Sequence, residues 1–87
     1  MGRKNEIASE LLNRGIECVN NDDLYSARRL FEKTISIDPH YSEAHYGLGL
    51  LYLILGNKAA AMKECKSLEK LNSNLKKKLA NHINNSN

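Results

Sequence analysis

Apolar side chains recur along the chain at the three- and four-residue spacing of amphipathic helices. The pattern predicts five helices, over about residues 7–19, 24–37, 43–55, 58–71 and 75–83. The alternation of apolar and polar positions that marks β-strands does not occur over any useful length. We therefore expect an all-α protein in which short links make consecutive helices pack antiparallel.

Polar residues, one proline and one glycine are expected to set the helix ends. The second helix should end at Asp38, because the residue before Pro39 is driven out of the α region. Gly56 is a favourable end for the third helix, since glycine readily adopts the left-handed conformation found there. Side-chain N-caps are expected at Asp22 or Asp23, at Ser42 and at Asn57.

The hydropathy of the third helix indicates its position in the fold. This helix is apolar on nearly all sides, so we expect it at the centre of the fold.

The longest apolar run, residues 47–56, is too short to cross a bilayer, which takes about 20 residues. The polar N-terminal residues are followed by no apolar run of the kind a signal peptide has. We expect a soluble cytoplasmic protein without a membrane span.

The chain aligns with itself at an offset of 34 residues. Gly15 then falls on Gly49 and Ala27 falls on Ala61, and apolar positions agree along both segments. The first segment reads Leu11-x2-Arg14-Gly15-x2-Cys18, followed by Ala27-x3-Phe31 and Pro39. The second segment reads His45-x2-Leu48-Gly49-x2-Tyr52, followed by Ala61-x3-Cys65. This pattern resembles the tetratricopeptide repeat, a helix–turn–helix unit of the same length.

The resemblance implies a single domain over residues 1–87, a fragment of a right-handed α-solenoid. It would hold two repeats, about residues 8–41 and 42–75, and a capping helix at about 74–84. Six positions depart from the family pattern: Leu11, Arg14, Asp22, His45, Cys65 and Ser73. These departures leave the helical periodicity intact.

In this family the first helix of each pair lines a concave face that binds other proteins. The resemblance implies a groove formed by Leu12, Asn13, Ile16, Val19 and Asn20 of the first helix with Tyr46, Gly47, Leu50, Leu53 and Ile54 of the third. Some relatives bind a peptide carboxylate there with lysine and asparagine, but Leu12, Ile16 and Gly47 stand at those positions. We therefore expect an apolar peptide or helix to bind.

Catalytic motifs are missing from the sequence. It contains no phosphate-binding loop and no HExxH or GxSxG motif, so we expect no enzyme and no cofactor. The spacing of His40, His45 and His82 does not suit a metal site. We interpret His45 as a half-buried packing residue. Cys18 and Cys65 lie on apolar stripes, and we expect both to be free, shielded thiols.

The net charge of +3 is unevenly distributed. Residues 58–87 contain seven basic and two acidic side chains, whereas residues 1–57 contain six basic and eight acidic. A lysine stripe on the last two helices, formed by Lys63, Lys66, Lys70, Lys76, Lys77 and Lys78, raises an anionic partner as one alternative. It has no interleaved aromatic residue, which argues against nucleic acid.

Three functions therefore remain open at this point. The main hypothesis is a protein-interaction adaptor or scaffold that uses the apolar groove. The alternatives are a self-associating unit, in which the groove of a homo-oligomer packs on a second copy, and a binder of an anionic partner through the lysine stripe.

Overall fold

The computed structural model describes residues 3–85, which form five α-helices joined by short turns. They are α1 (Arg3–Asn20), α2 (Leu24–Ile37), α3 (Ser42–Ile54), α4 (Lys58–Leu71) and α5 (Ser73–Asn85). The all-α prediction is confirmed. Helix α1 pairs with α2, α3 pairs with α4, and α5 packs against both α3 and α4. Helix α3 contacts each of the other four helices, which agrees with its predicted central position.

The turns after α1 and α3 have the same backbone geometry at an offset of 34 residues. Asp23 donates its backbone N–H to the Cys18 carbonyl at 2.8 Å, and Asn57 donates to the Tyr52 carbonyl at 2.7 Å. Both residues then cap the following helix, because their side chains accept a backbone N–H three residues further on. The two helix pairs are thus structural repeats, while the bounds at residues 8–41 and 42–75 stay a prediction.

Asp22 and Gly56 occupy equivalent places in these turns, and both have positive φ. Their φ values are 64° and 80°, in the left-handed region. Glycine adopts this conformation without steric cost, whereas a side chain adds strain that Asp tolerates better than most residues. Of the two predicted caps for α2, Asp23 is the one observed, and Asp22 forms the bend before it.

The described part of α1 begins at Arg3, four residues before the predicted start, and α3 and α5 begin one and two residues before theirs. Ser42 is the first residue of α3 and not its cap; Tyr41 holds that position without a side-chain hydrogen bond. The backbone N–H of Tyr41 donates to the Asp38 carbonyl at 3.0 Å, and this turn starts the helix early. Helix α5 begins at Ser73, because Asn72 accepts the Leu75 N–H and caps the helix.

The buried side chains form two clusters. The first contains Leu12, Ala27, Phe31, Ala44, Leu48 and Leu51, and the second contains Ala61, Leu68, Leu79 and Ile83. A Cβ atom at Gly15 would lie 2.6 Å from the Phe31 ring, and one at Gly49 would lie 2.5 Å from a Leu79 methyl group. The two glycines therefore allow a large side chain to pack directly on the helix backbone.

Candidate protein-binding groove

An open groove runs between α1 and α3 and has a volume of about 360 Å³. Its lining is almost entirely apolar. The lining residues are Leu12, Ile16, Val19 and Asn20 of α1, Phe31 of α2, and Glu43, Tyr46, Gly47, Leu50, Leu51 and Ile54 of α3. We call this surface the α1–α3 groove.

The structure brings together most of the residues that the sequence assigned to this face. Asn13 is the exception on α1, where it is exposed but does not line the groove. Leu53 lies in a neighbouring pocket, with Leu50, Ile54 and two residues of α5, His82 and Asn85. The α1–α3 groove therefore opens at this end toward the last helix.

Several of the groove side chains also belong to the core or pack against it. Leu12 is only 7% exposed and belongs to the first buried cluster. Tyr46, Leu50 and Leu53 are half-buried because they pack against the second cluster, which includes α5. The helix pattern did not reveal this, since α5 reaches α3 from a distant part of the sequence.

Ile16 and Ile54 are the most exposed large side chains of the groove. Their exposed fractions are 45% and 59%. Each belongs to a different wall, so both walls offer apolar area to an incoming group. Side chains of this size gain roughly 1.5–3 kcal/mol when they are fully buried.

Sequence reasoning did not assign Phe31, Glu43 or Leu51 to this groove. Phe31 is buried in the first cluster, and its ring would lie 3.1 Å from a Cβ atom at Gly47. Because Gly47 has no side chain, the ring forms part of the groove floor. The missing side chain at Gly47 was the signal that could have found it.

Polar side chains adjoin the apolar lining at the start of α3. Glu43 lines both the α1–α3 groove and a second pocket, whose other residues are Asn5, Ser9, Asp38, His40, Tyr41 and Ser42. The groove is thus apolar along its length and acidic at the end where α3 begins.

The comparison with protein families matches the tetratricopeptide repeat to residues 19–75, about two thirds of the chain. The chain belongs to the tetratricopeptide repeat family. No curated protein and no solved structure gives a significant match. Tetratricopeptide repeats generally mediate protein–protein interaction and are typically not enzymes.

His45 stands at a repeat position where the family pattern has tryptophan, and the interpretation as a half-buried packing residue is wrong. The residue is buried, with 8% of its surface exposed, and its ring contacts both α4 and the turn before α3. Its Nδ1 lies 2.8 Å from Glu64 Oε1 on α4, and its Nε2 lies 2.8 Å from the Pro39 carbonyl oxygen. Both partners only accept, so both hydrogen bonds form together when both ring nitrogens carry a proton.

The charge of this histidine is stabilised by its surroundings. The hydrogen bond that His45 donates to Glu64 raises the pKa of His45 above its ordinary value of 6.5; burial opposes this, and the Pro39 carbonyl and the charge of Glu64 add to the increase. When it is protonated, the ring joins the turn before α3 to α4 in the second repeat.

The remaining candidate residues of this repeat protein lie outside the groove. Cys18 and Cys65 are free and half-buried, so they are less shielded than predicted. Within residues 3–85, no three His, Cys, Asp or Glu side chains form a group that could hold a metal ion. No helix in that part of the chain is long and apolar enough to cross a membrane.

The lysine stripe faces solvent along most of its length. Lys76 is half-buried, and the other five lysines are exposed. None of the six lines the α1–α3 groove. The two candidate surfaces are therefore distinct in chemistry and use different residues.

Proposed function

We propose that this tetratricopeptide repeat protein is a non-enzymatic adaptor of the cytoplasm that binds an apolar segment of another protein in the α1–α3 groove. The exposed Ile16 and Ile54 on the two walls are the observation that carries the proposal. A contiguous apolar surface in contact with water lowers solubility, and such a surface commonly marks an interaction site.

The dimensions and lining of the groove suit a short helix or an extended segment. Ile16 and Ile54 form the walls, Phe31 forms part of the floor, and the open volume has room for a few apolar side chains. A helix would present such anchors three or four residues apart on one face. Asn20, at the rim, supplies a hydrogen-bonding group to the partner's backbone.

The groove is favoured over the lysine stripe for a physical reason. Exposed lysine is ordinary on a protein surface and needs no partner, whereas exposed isoleucine side chains on both walls of one apolar groove indicate a binding site. The stripe also contains no aromatic side chain on which a nucleotide base could stack.

The test uses one helix as its own control. Ile7 and Ile16 both lie on α1 with similar exposure, 48% and 45%, but only Ile16 lines the groove. Proteins captured from cell extract by the full chain are compared with those captured by Ile16→Glu and Ile7→Glu. The affinity of each purified partner is then measured by calorimetry.

We expect Ile16→Glu to lower the affinity for a direct partner at least about 30-fold, as for an interface hot spot. Ile7→Glu should leave this affinity nearly unchanged. Equal losses of affinity in both variants would refute the proposal that the partner binds in the groove. Loss of binding with Lys63→Glu, Lys66→Glu and Lys70→Glu would favour an anionic partner instead. Concentration-dependent association that Ile16→Glu abolishes would show a second copy as the occupant.

A further inference from the structure

We infer that the segment bound in the α1–α3 groove carries a lysine or arginine next to its apolar anchors, and that this cation binds at the Glu43 end. The inference rests on the proposed function and adds the charge of the partner and the end of the groove at which that charge lies. It follows from the unequal polarity of the two ends of the groove.

Two acidic side chains lie at one end of the groove, in a pocket that His40 also lines. Glu43 is exposed at the start of α3, and Asp38 lines the adjoining pocket. Among residues 3–85, no lysine or arginine lines the groove, this polar pocket or the pocket next to α5. A cation bound there would therefore be attracted by the two carboxylates, and no lysine or arginine among the lining residues opposes it.

The two carboxylates are available to such a cation. Asp38 accepts the backbone N–H of His40 at 3.1 Å through one oxygen, which leaves its second oxygen for another donor. Glu43 forms no ion pair with another residue of the described part of the chain. Ser9 and Asn5 of α1 line the same pocket and supply further hydrogen-bonding groups.

The opposite end of the groove has a different character. Leu50, Leu53 and Ile54 meet the last turn of α5 there, with His82 and Asn85 at the edge. Apolar anchors are favoured at this end and a cation at the start of α3, so the polarity fixes the end of the groove at which the cation of the bound segment lies. A peptide that ended in a carboxylate at Glu43 would be repelled.

The experiment selects peptides from a random display library on the immobilised full-length protein. Ile16→Glu is the control for use of the groove. Glu43→Lys reverses the charge at the proposed cation position, and Glu10→Lys makes the same change at an exposed position of α1 outside the groove. Circular dichroism checks that each variant is folded.

We expect the wild-type protein to enrich peptides with apolar residues and a nearby lysine or arginine, which Ile16→Glu no longer binds. Glu43→Lys should lower the affinity for these peptides about fivefold or more, and the library should then enrich peptides with aspartate or glutamate instead. Glu10→Lys should have neither effect. The difference should shrink at high salt.

The possible failures are distinguishable. Peptides that require Ile16 but show no preference for a cation would overturn the charge inference and leave the groove in place. Equal effects of Glu43→Lys and Glu10→Lys would also overturn it, because net charge would then be the cause. If no selected peptide depends on Ile16, the proposed function itself is wrong.

Discussion

Phe31 and Cys65 occupy equivalent positions in the two helix pairs, 34 residues apart, but they differ greatly in size. In the first pair, the Phe31 ring packs directly on Gly15. In the second pair, Cys65 is too small for that role, and Leu79 of α5 packs on Gly49 instead. The first repeat therefore fills its own interior, whereas the second depends on a side chain from the capping helix.

A second pair of equivalent positions differs in polarity. Leu11 and Leu30 of the first repeat correspond to His45 and Glu64 of the second. The two leucines are half-buried, while the histidine is buried and hydrogen-bonded to the glutamate. The second repeat thus uses a directional polar contact, whose strength depends on pH, at a place where the first has two apolar side chains.

Removal of α5 should have the largest effect, and it should act on the second repeat. Deletion of residues 73–87 removes Leu79 and Ile83, whose burial stabilises the fold by roughly 1.5–3 kcal/mol each. Because a domain of this size has about 5–15 kcal/mol in total, we expect α3 and α4 to lose most of their protection. Hydrogen exchange measured by mass spectrometry checks this. Unchanged protection in α4 would contradict the dependence on α5.

Truncation of the two equivalent side chains should distinguish the repeats. Phe31→Ala leaves a cavity between Gly15 and Gly47 and should lower the free energy of unfolding by about 3–5 kcal/mol. Cys65→Ala removes one partly buried sulfur and should lower it by about 1 kcal/mol. Urea unfolding followed by circular dichroism measures both. Similar losses in the free energy of unfolding would mean that the side chains at the two positions contribute equally to the packing of their repeats.

The His45–Glu64 pair should make the stability of the second repeat depend on pH. The hydrogen bond that His45 donates to Glu64 raises the folded-state pKa of His45 above 6.5, so the folded state binds the proton more tightly than the unfolded chain. This stabilisation is fully present below pH 6.5 and is lost as the pH rises through the folded-state pKa.

The His45 pKa is measured by an NMR titration, and urea unfolding is repeated across the same pH range. Glu64→Gln keeps the size of the side chain but removes its charge. It should bring the His45 pKa back toward 6.5 and flatten the stability profile. A His45 pKa at or below 6.5 in the wild-type protein would contradict the paired imidazolium.

The smallest expected effect concerns the equivalent turns. Asp22→Gly should stabilise the protein by about 0.5–1 kcal/mol, because glycine adopts the positive φ without strain. Gly56→Ala should destabilise it by about 1 kcal/mol; a Cβ atom there would meet nothing within 4 Å, so backbone strain is the cause. Thermal unfolding resolves both. The same sign for the two changes would show that the turns are not equivalent.

Local signals in the sequence predicted the fold well. Asn57, Gly56 and Asp23 act through backbone groups within a few residues, so their roles could be inferred without knowledge of the packing. The start of α3 was misjudged because a backbone turn around Pro39, and not the Ser42 side chain, sets it.

Contacts between distant segments account for the errors at the candidate site. The burial of Leu50 depends on α5, and that of His45 depends on an acceptor on α4. Neither partner lies close enough in sequence to leave a periodic signal. Glu43 was also missed, because an acidic residue in the first turn of a helix is explained by the helix dipole alone.

Phe31 has a consequence for how this surface can evolve. The same ring packs on Gly15, meets Gly47 of the next repeat and forms part of the groove floor. A substitution that deepens the groove for a bulkier ligand therefore also loosens the joint between the repeats. Variation in partner choice should accordingly be concentrated at wall positions such as Ile16 and Ile54, where a side chain can change without loss of fold stability.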